Sequence, residues 1–153
     1  MKISIISVGK IKEKYLKDAI VEYSSILKKK VELSLIEVPD EKAPENLSEK
    51  LMIQVKDSEG QAILKHIKDD MFVITLEIFG KELNQEQLIK KIKQAQYMNK
   101  THICFVIGGS LGLSKLVSKR SDFKYSFSKM TFPHQVMKVM LLNQLSILDY
   151  TNS

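Results

Sequence analysis

Two short stretches constrain this chain most. Met71-Phe72-Val73-Ile74-Thr75-Leu76 and His102-Ile103-Cys104-Phe105-Val106-Ile107 are apolar or β-branched at almost every position. A strand with one wet face alternates polar and apolar residues, so unbroken runs of this length predict strands buried on both faces, as in a parallel sheet. The flanking segments carry a helical period. After an opening apolar strand at residues 2–8, turned at Gly9, the residues Ile11, Tyr15, Ala19, Tyr23 and Leu27 recur every fourth position, the stripe of a helix.

A second strand, Val31 to Val38, stops at Pro39 and enters an acidic, proline-bearing loop, Asp40 to Asn46, because proline cannot donate to a strand ladder. A helix from about Leu47 to Ile67 should turn Leu51, Val55, Ala62 and Ile63 inward, with Gly60 as a weak point. Asn84 can cap a helix reaching about Met98. Gly108 to Gly112 reads as a turn, Leu113 to Lys119 as a short helix and Phe123 to Phe127 as a last strand. The final helix, Gln135 to about Leu148, is apolar nearly all round and must be covered on more than one side, by the domain or by a partner subunit. The order predicts the α/β class: one domain over residues 1–153, with a mostly parallel sheet of five or six strands and helices on both faces.

Composition narrows the function. No apolar run reaches the roughly 18 residues of a membrane span, and the opening Met1-Lys2-Ile3-Ser4-Ile5-Ile6 is too short for a signal peptide, so a cytoplasmic protein with no membrane partner is expected. The lone Cys104 has no thiol partner and reads as core. A net charge of +6 favours polyanions through counterion release. Only Arg120 among 24 basic residues is arginine, which suits contact with backbone phosphates and shape better than forked reading of bases. The plainer alternative, lysines such as Lys28-Lys29-Lys30 and Lys90-Lys91 solvating helix faces, stays open.

Ligands of open α/β sheets bind beyond the carboxyl ends of the strands, which directs attention to the loops after Leu76, Ile107 and Phe127. They read Glu77-Ile78-Phe79-Gly80, Gly108-Gly109-Ser110-Leu111-Gly112 and Ser128-Lys129-Met130-Thr131-Phe132-Pro133. Their glycines permit close backbone approach, and Leu76, Phe127, Met130 and Phe132 offer apolar walls for a flat base and a thioether chain. A phosphate cradle fits less well. The double glycine does not match G-x-G-x-x-G, and neither Gly9-Lys10 nor Gly80-Lys81 has the glycine before it or the Ser/Thr after it that a P-loop requires. His66, His102 and His134 are widely spaced, so no metal is expected, and no Gly-x-Ser-x-Gly is present.

Val73-Ile74-Thr75-Leu76-Glu77, Phe105-Val106-Ile107-Gly108-Gly109-Ser110 and Ser126-Phe127-Ser128-Lys129-Met130-Thr131-Phe132-Pro133-His134-Gln135, in that order, resemble the RlmH family. Its members are SPOUT-class methyltransferases that use S-adenosylmethionine (SAM) to methylate N3 of a pseudouridine in helix 69 of 23S ribosomal RNA. Val8-Gly9-Lys10 and the loop from Pro39 to Asn46 fit too, so the likeness covers about residues 1–142. The resemblance implies a trefoil-knotted α/β domain, a homodimer built partly through the last helix and action on the assembled ribosome. Carried over by position, Leu76, Gly108, Phe127, Ser128, Lys129, Met130, Thr131 and Phe132 would line the SAM pocket, with His134 and Lys138 toward the RNA; the resemblance assigns no catalytic base. His134 has a second reading, as a helix-start residue beside Pro133.

The chain departs from the family at its end. After Leu142 it reads Asn143-Gln144-Leu145-Ser146-Ile147-Leu148-Asp149-Tyr150-Thr151-Asn152-Ser153, without the arginine and histidine that the family carries there. Lys138 stands where the family usually has arginine, and it keeps the charge without the planar fork. Tyr150 is the aromatic left to replace a lost contact. The leading expectation is therefore an rRNA methyltransferase, and the alternative is a relative that binds SAM and the ribosome but transfers poorly.

Overall fold

The strand His102–Ile107 lies at the centre of a five-stranded sheet, as its unbroken apolar sequence requires. The computed structural model describes residues 1–41 and 48–151. Its elements are β1 (Lys2–Val8), α1 (Lys14–Lys28), β2 (Glu32–Val38), α2 (Glu49–Leu64), β3 (Met71–Glu82), α3 (Gln85–Tyr97), β4 (His102–Ile107), α4 (Lys115–Arg120), β5 (Phe123–Ser126) and α5 (His134–Ile147). The strand order is β2-β1-β4-β3-β5 and every strand pair is parallel, in agreement with the expected class.

Alternation along the buried strands divides the core in two. Ile3 and Ile5 of β1, Ile74 and Leu76 of β3, and Ile103, Phe105 and Ile107 of β4 pack with Leu27 of α1, Leu88 and Ile92 of α3, and Leu141, Leu142 and Leu145 of α5. Ile6, Val8, Val73, Cys104 and Val106 face the other way, onto Ile63 of α2 and Val117 of α4. Cys104 is core, as expected, and burial pushes its thiol up to about 12. Asn84 caps α3 in a full capping box, accepting from the Gln87 backbone N–H at 2.8 Å while its own N–H donates to the Gln87 side chain at 2.9 Å.

Several expectations need correction. The third strand runs on to Glu82, and Glu77-Ile78-Phe79-Gly80 is an excursion within it: Leu76 and Lys81 both stand opposite Tyr125 of β5. Gly80 permits this crossing, since a Cβ there would lie 2.7 Å from the Lys124 carbonyl carbon. The buried residues of α2 are Glu59, Gly60 and Ile63, all in its second half, so Leu51, expected inside, is 46% exposed. Gly60 is no mere weak point, because a side chain there would strike the Ser114 hydroxyl at the start of α4. The loop from Asp40 to Asn46 and the expected helix start at Leu47 lie, beyond Glu41, outside the described residues.

The end of α5 is fastened by Lys30, whose ammonium donates to the carbonyls of Ser146 at 2.6 Å and Leu148 at 3.1 Å. A cation at a helix C-terminus meets both unpaired carbonyls and the negative end of the dipole. Lys30→Met keeps the aliphatic stem and removes both bonds; urea unfolding should show a loss of about 1 kcal/mol, and an unchanged midpoint would deny the clamp its role.

Candidate functional site

Parallel pairing brings the carboxyl ends of β3, β4 and β5 to one edge of the sheet. The segments that follow them enclose a cavity of about 840 Å³, within the roughly 300–1,000 Å³ usual for small-molecule sites. The β3 excursion supplies Leu76, Glu77, Ile78 and Phe79, the turn after β4 supplies Gly108 to Leu113, and the segment after β5 supplies Phe127, Ser128 and Met130 to His134. Lys56 of α2, Met137 of α5 and the strand-end residues Ile107, Tyr125 and Ser126 complete the lining. The three loops singled out in the sequence thus form one site.

Each loop is held by identifiable contacts. Tyr125 and Phe127 meet edge to face, with centroids 5.1 Å apart, an arrangement the ring quadrupoles favour. The Ser126 hydroxyl lies 2.8 Å from the Ser128 carbonyl and 3.2 Å from that of Ile78, tying the segments after β5 and β3 together. Glu77 accepts from the Thr75 hydroxyl at 2.7 Å and from that of Ser118 at 2.9 Å, so its carboxylate is committed to the scaffold. In the glycine turn, a Cβ on Gly108 would fall 2.9 Å from the Gly112 carbonyl carbon. Only a bare backbone fits there.

Of the positions carried over from the resemblance, Leu76, Gly108, Phe127, Ser128, Met130, Thr131 and Phe132 line the cavity and Lys129 does not; Lys129 is exposed. Lys138, expected toward the RNA, is only 3% exposed, and its ammonium lies 3.4 Å from Glu37 of β2. Its position one turn after His134 turns it inward, where a buried ammonium requires a carboxylate partner. His134 does reach the cavity wall. Its Nε2 is buried with no hydrogen-bond partner among the described residues, and a Cβ on Gly9 would lie 3.3 Å from it. Tyr150 is turned away from the site: its hydroxyl donates to the Leu145 carbonyl at 2.7 Å and its ring packs on the main core.

Sequence reading missed Glu59. It is 4% exposed, accepts from the Glu41 backbone N–H at 3.1 Å, and places its two oxygens 3.2 and 3.5 Å from where a Gly109 Cβ would be. The signal was available, since Val55, Glu59 and Ile63 form one stripe at four-residue spacing and a carboxylate on an inner stripe calls for an explanation. Burial raises the Glu59 carboxyl from 4.5 to about 7, a hydrogen bond and like charge from Asp40 and the charge of Glu41 add to the rise, and only the Glu41 N–H opposes it.

A cavity of this chemistry at the carboxyl edge of a parallel sheet is where α/β proteins as a class hold small, partly apolar ligands. Comparison with known proteins identifies the family. The family described as "Predicted SPOUT methyltransferase" matches residues 1–146. The ribosomal RNA large subunit methyltransferase H of Bifidobacterium adolescentis is 54% identical over 145 residues, covering 95% of this chain and 91% of that protein. Ribosomal RNA large subunit methyltransferase H 1 of Clostridium perfringens gives the same identity and coverage. A Methanococcus maripaludis protein that carries the methyltransferase H name provisionally is 58% identical over 145 residues, with 95% and 91% covered. The chain belongs to the SPOUT methyltransferases and, among them, to the family of ribosomal RNA large subunit methyltransferase H. The crystal structure of tRNA (m1G37) methyltransferase from Aquifex aeolicus shares the fold, with a TM-score of 0.54 at 14% identity over all of this chain and 73% of that one.

Glu59 also makes stability depend on pH. Its folded pKa lies above its ordinary value, so the folded chain keeps a proton that the unfolded chain releases; the stability this contributes is full below about 4.5 and is lost as pH rises through about 7. Denaturant melts across that window should show wild type losing more stability than Glu59→Gln, and parallel curves would mean that Glu59 titrates as an ordinary surface acid.

Proposed function

We propose that this chain, as one domain over residues 1–153, transfers a methyl group from SAM held in the cavity to N3 of a pseudouridine in helix 69 of 23S ribosomal RNA. It acts on the assembled ribosome, in the cytoplasm, as a trefoil-knotted homodimer with part of the interface on α5. The observation that carries this reading is the convergence around one cavity of the three sequence segments that resemble the RlmH family. The cavity suits the cofactor. Leu76, Phe127, Met130 and Phe132 give apolar surface for an adenine and a thioether chain, and Gly108, where a side chain would collide with Gly112, lets ligand atoms approach the backbone.

SAM supplies a methyl group on a sulfonium centre. The chain's own task is to orient the accepting base, keep water out and ease the N3 proton away. His134 stands at the cavity wall, where its ring borders the space the substrate would enter. The +6 charge draws the protein to the ribosome in a manner that added salt should weaken.

A second reading, a relative that binds SAM and the ribosome but transfers poorly, is favoured by one observation. The segment after Leu142 carries neither arginine nor histidine, and its Tyr150 is bonded to the core rather than to the site. The decisive experiment incubates the protein with methyl-labelled SAM and ribosomes lacking the modification, then maps label by mass spectrometry. Label on the helix 69 pseudouridine is expected; SAM binding without label would favour the second reading, and tighter binding of ATP than of SAM would remove both. Light scattering should give twice the 17.5 kDa chain mass, and a monomer would remove the dimer.

A further inference from the structure

The glycine turn that walls the cavity is buttressed from behind by one dipeptide of α2. Glu59 lies against Gly109 near the start of the turn, and Gly60 lies against Ser114 and Val117 where the turn enters α4. Glu59 also reaches a second loop: it accepts the Glu41 N–H at 3.1 Å, and the neighbouring Asp40 carboxyl bears on it electrostatically. Asp40 and His134 both lie near Gly9, with Asp40 Oδ2 and His134 Nε2 at 3.7 and 3.3 Å from where a Gly9 Cβ would be. Glu59 therefore joins two segments, those that follow β2 and β4.

A like charge nearby disfavours the ionised form of a carboxyl group. We propose that Glu59 is a positioning residue for the cofactor site, its buried carboxyl holding the Glu41 amide on one side and the backbone of Gly109 on the other and so pinning the turn from Gly108 to Ser114 in its binding shape. This inference rests on the reading of the cavity as a SAM site. Among the described residues, the groups that bear on Glu59 are acidic or neutral: Asp40 and Glu41 are acidic, β1 presents Val8 and the turn presents the backbone of Gly109. Among them, loss of the proton would set Glu59 against two acids. The rise of its pKa to about 7 agrees with this arrangement.

The test compares wild type, Glu59→Gln and Glu59→Ala by SAM calorimetry at pH 6 and pH 8, and by hydrogen exchange of the amides at positions 108–114 in the ligand-free protein. Glutamine mimics the protonated acid, keeping an acceptor for Glu41. At pH 6 it should bind SAM within about twofold of wild type, while alanine binds about tenfold more weakly, the effect of a lost buried hydrogen bond. Between pH 6 and pH 8 wild type should lose severalfold more affinity than the glutamine variant, and the turn amides should exchange faster in alanine but not in glutamine. An alanine variant that binds SAM and protects the turn like wild type overturns the inference. If alanine does not fold, equal pH responses of wild type and glutamine overturn it instead. A wild type that binds no SAM refutes the cofactor reading, and turn exchange in the variants then still decides whether Glu59 pins the turn.

Discussion

The whole molecule depends on β4 being held in register between β1 and β3. Phe105 stands opposite Ile5 on one side and Ile74 on the other, and all three belong to the same half of the core. A slip of one residue would exchange the two faces of the strand and send Phe105 to the side shared by Cys104 and Val106. Because both pairings are parallel, each connection between these strands must return across the sheet before the next begins. The helices cover both faces as a result, and the ends of β3, β4 and β5 come to one edge. The cavity follows from the register.

Those strands were legible because burial on both faces leaves an unbroken apolar run, a local signal. The cap at Asn84 is equally local, a side chain reaching three residues ahead. What could not be read depended on partners distant in sequence. The excursion at Glu77 to Gly80 is set by β5, more than forty residues on, which takes up Leu76 and Lys81 against the same Tyr125. The inward turn of Lys138 depends on Glu37, about a hundred residues earlier. Periodicity put Leu51 on the inner stripe of α2, but the buried residues of that helix all lie in its second half.

The same division runs through the site. Most of the residues that line it occur in three contiguous segments, which order along the chain can point to; that Lys129 is exposed outside the lining while its neighbours are in it is not settled by order alone. The residues behind the lining are scattered. Glu59, Asp40 and Gly9 come from α2, the end of β2 and the end of β1, and no motif joins them. Glu59 left only an indirect mark, a carboxylate on an apolar stripe, which a globular chain tolerates only when the group is paired or neutral.

The fate of the last residues bears on where the proposed chemistry must reside. Lys30 takes the carbonyls of Ser146 and Leu148, and Tyr150 takes that of Leu145, so this stretch packs on the core, and the described residues that line the cavity all precede Asn143. Among the described lining residues the titratable groups are Lys56, Glu77, Tyr125 and His134. Glu77 is committed to Thr75 and Ser118. Burial pushes Tyr125 up to about 12, too high to take part in proton transfer near neutrality. Lysine ammonium groups supply charge but no acceptor. The His134 ring makes no hydrogen bond to the scaffold through its buried Nε2 among the described residues. On the proposed reading, His134 and Lys56 are therefore the titratable lining side chains that the scaffold does not already occupy among the described residues.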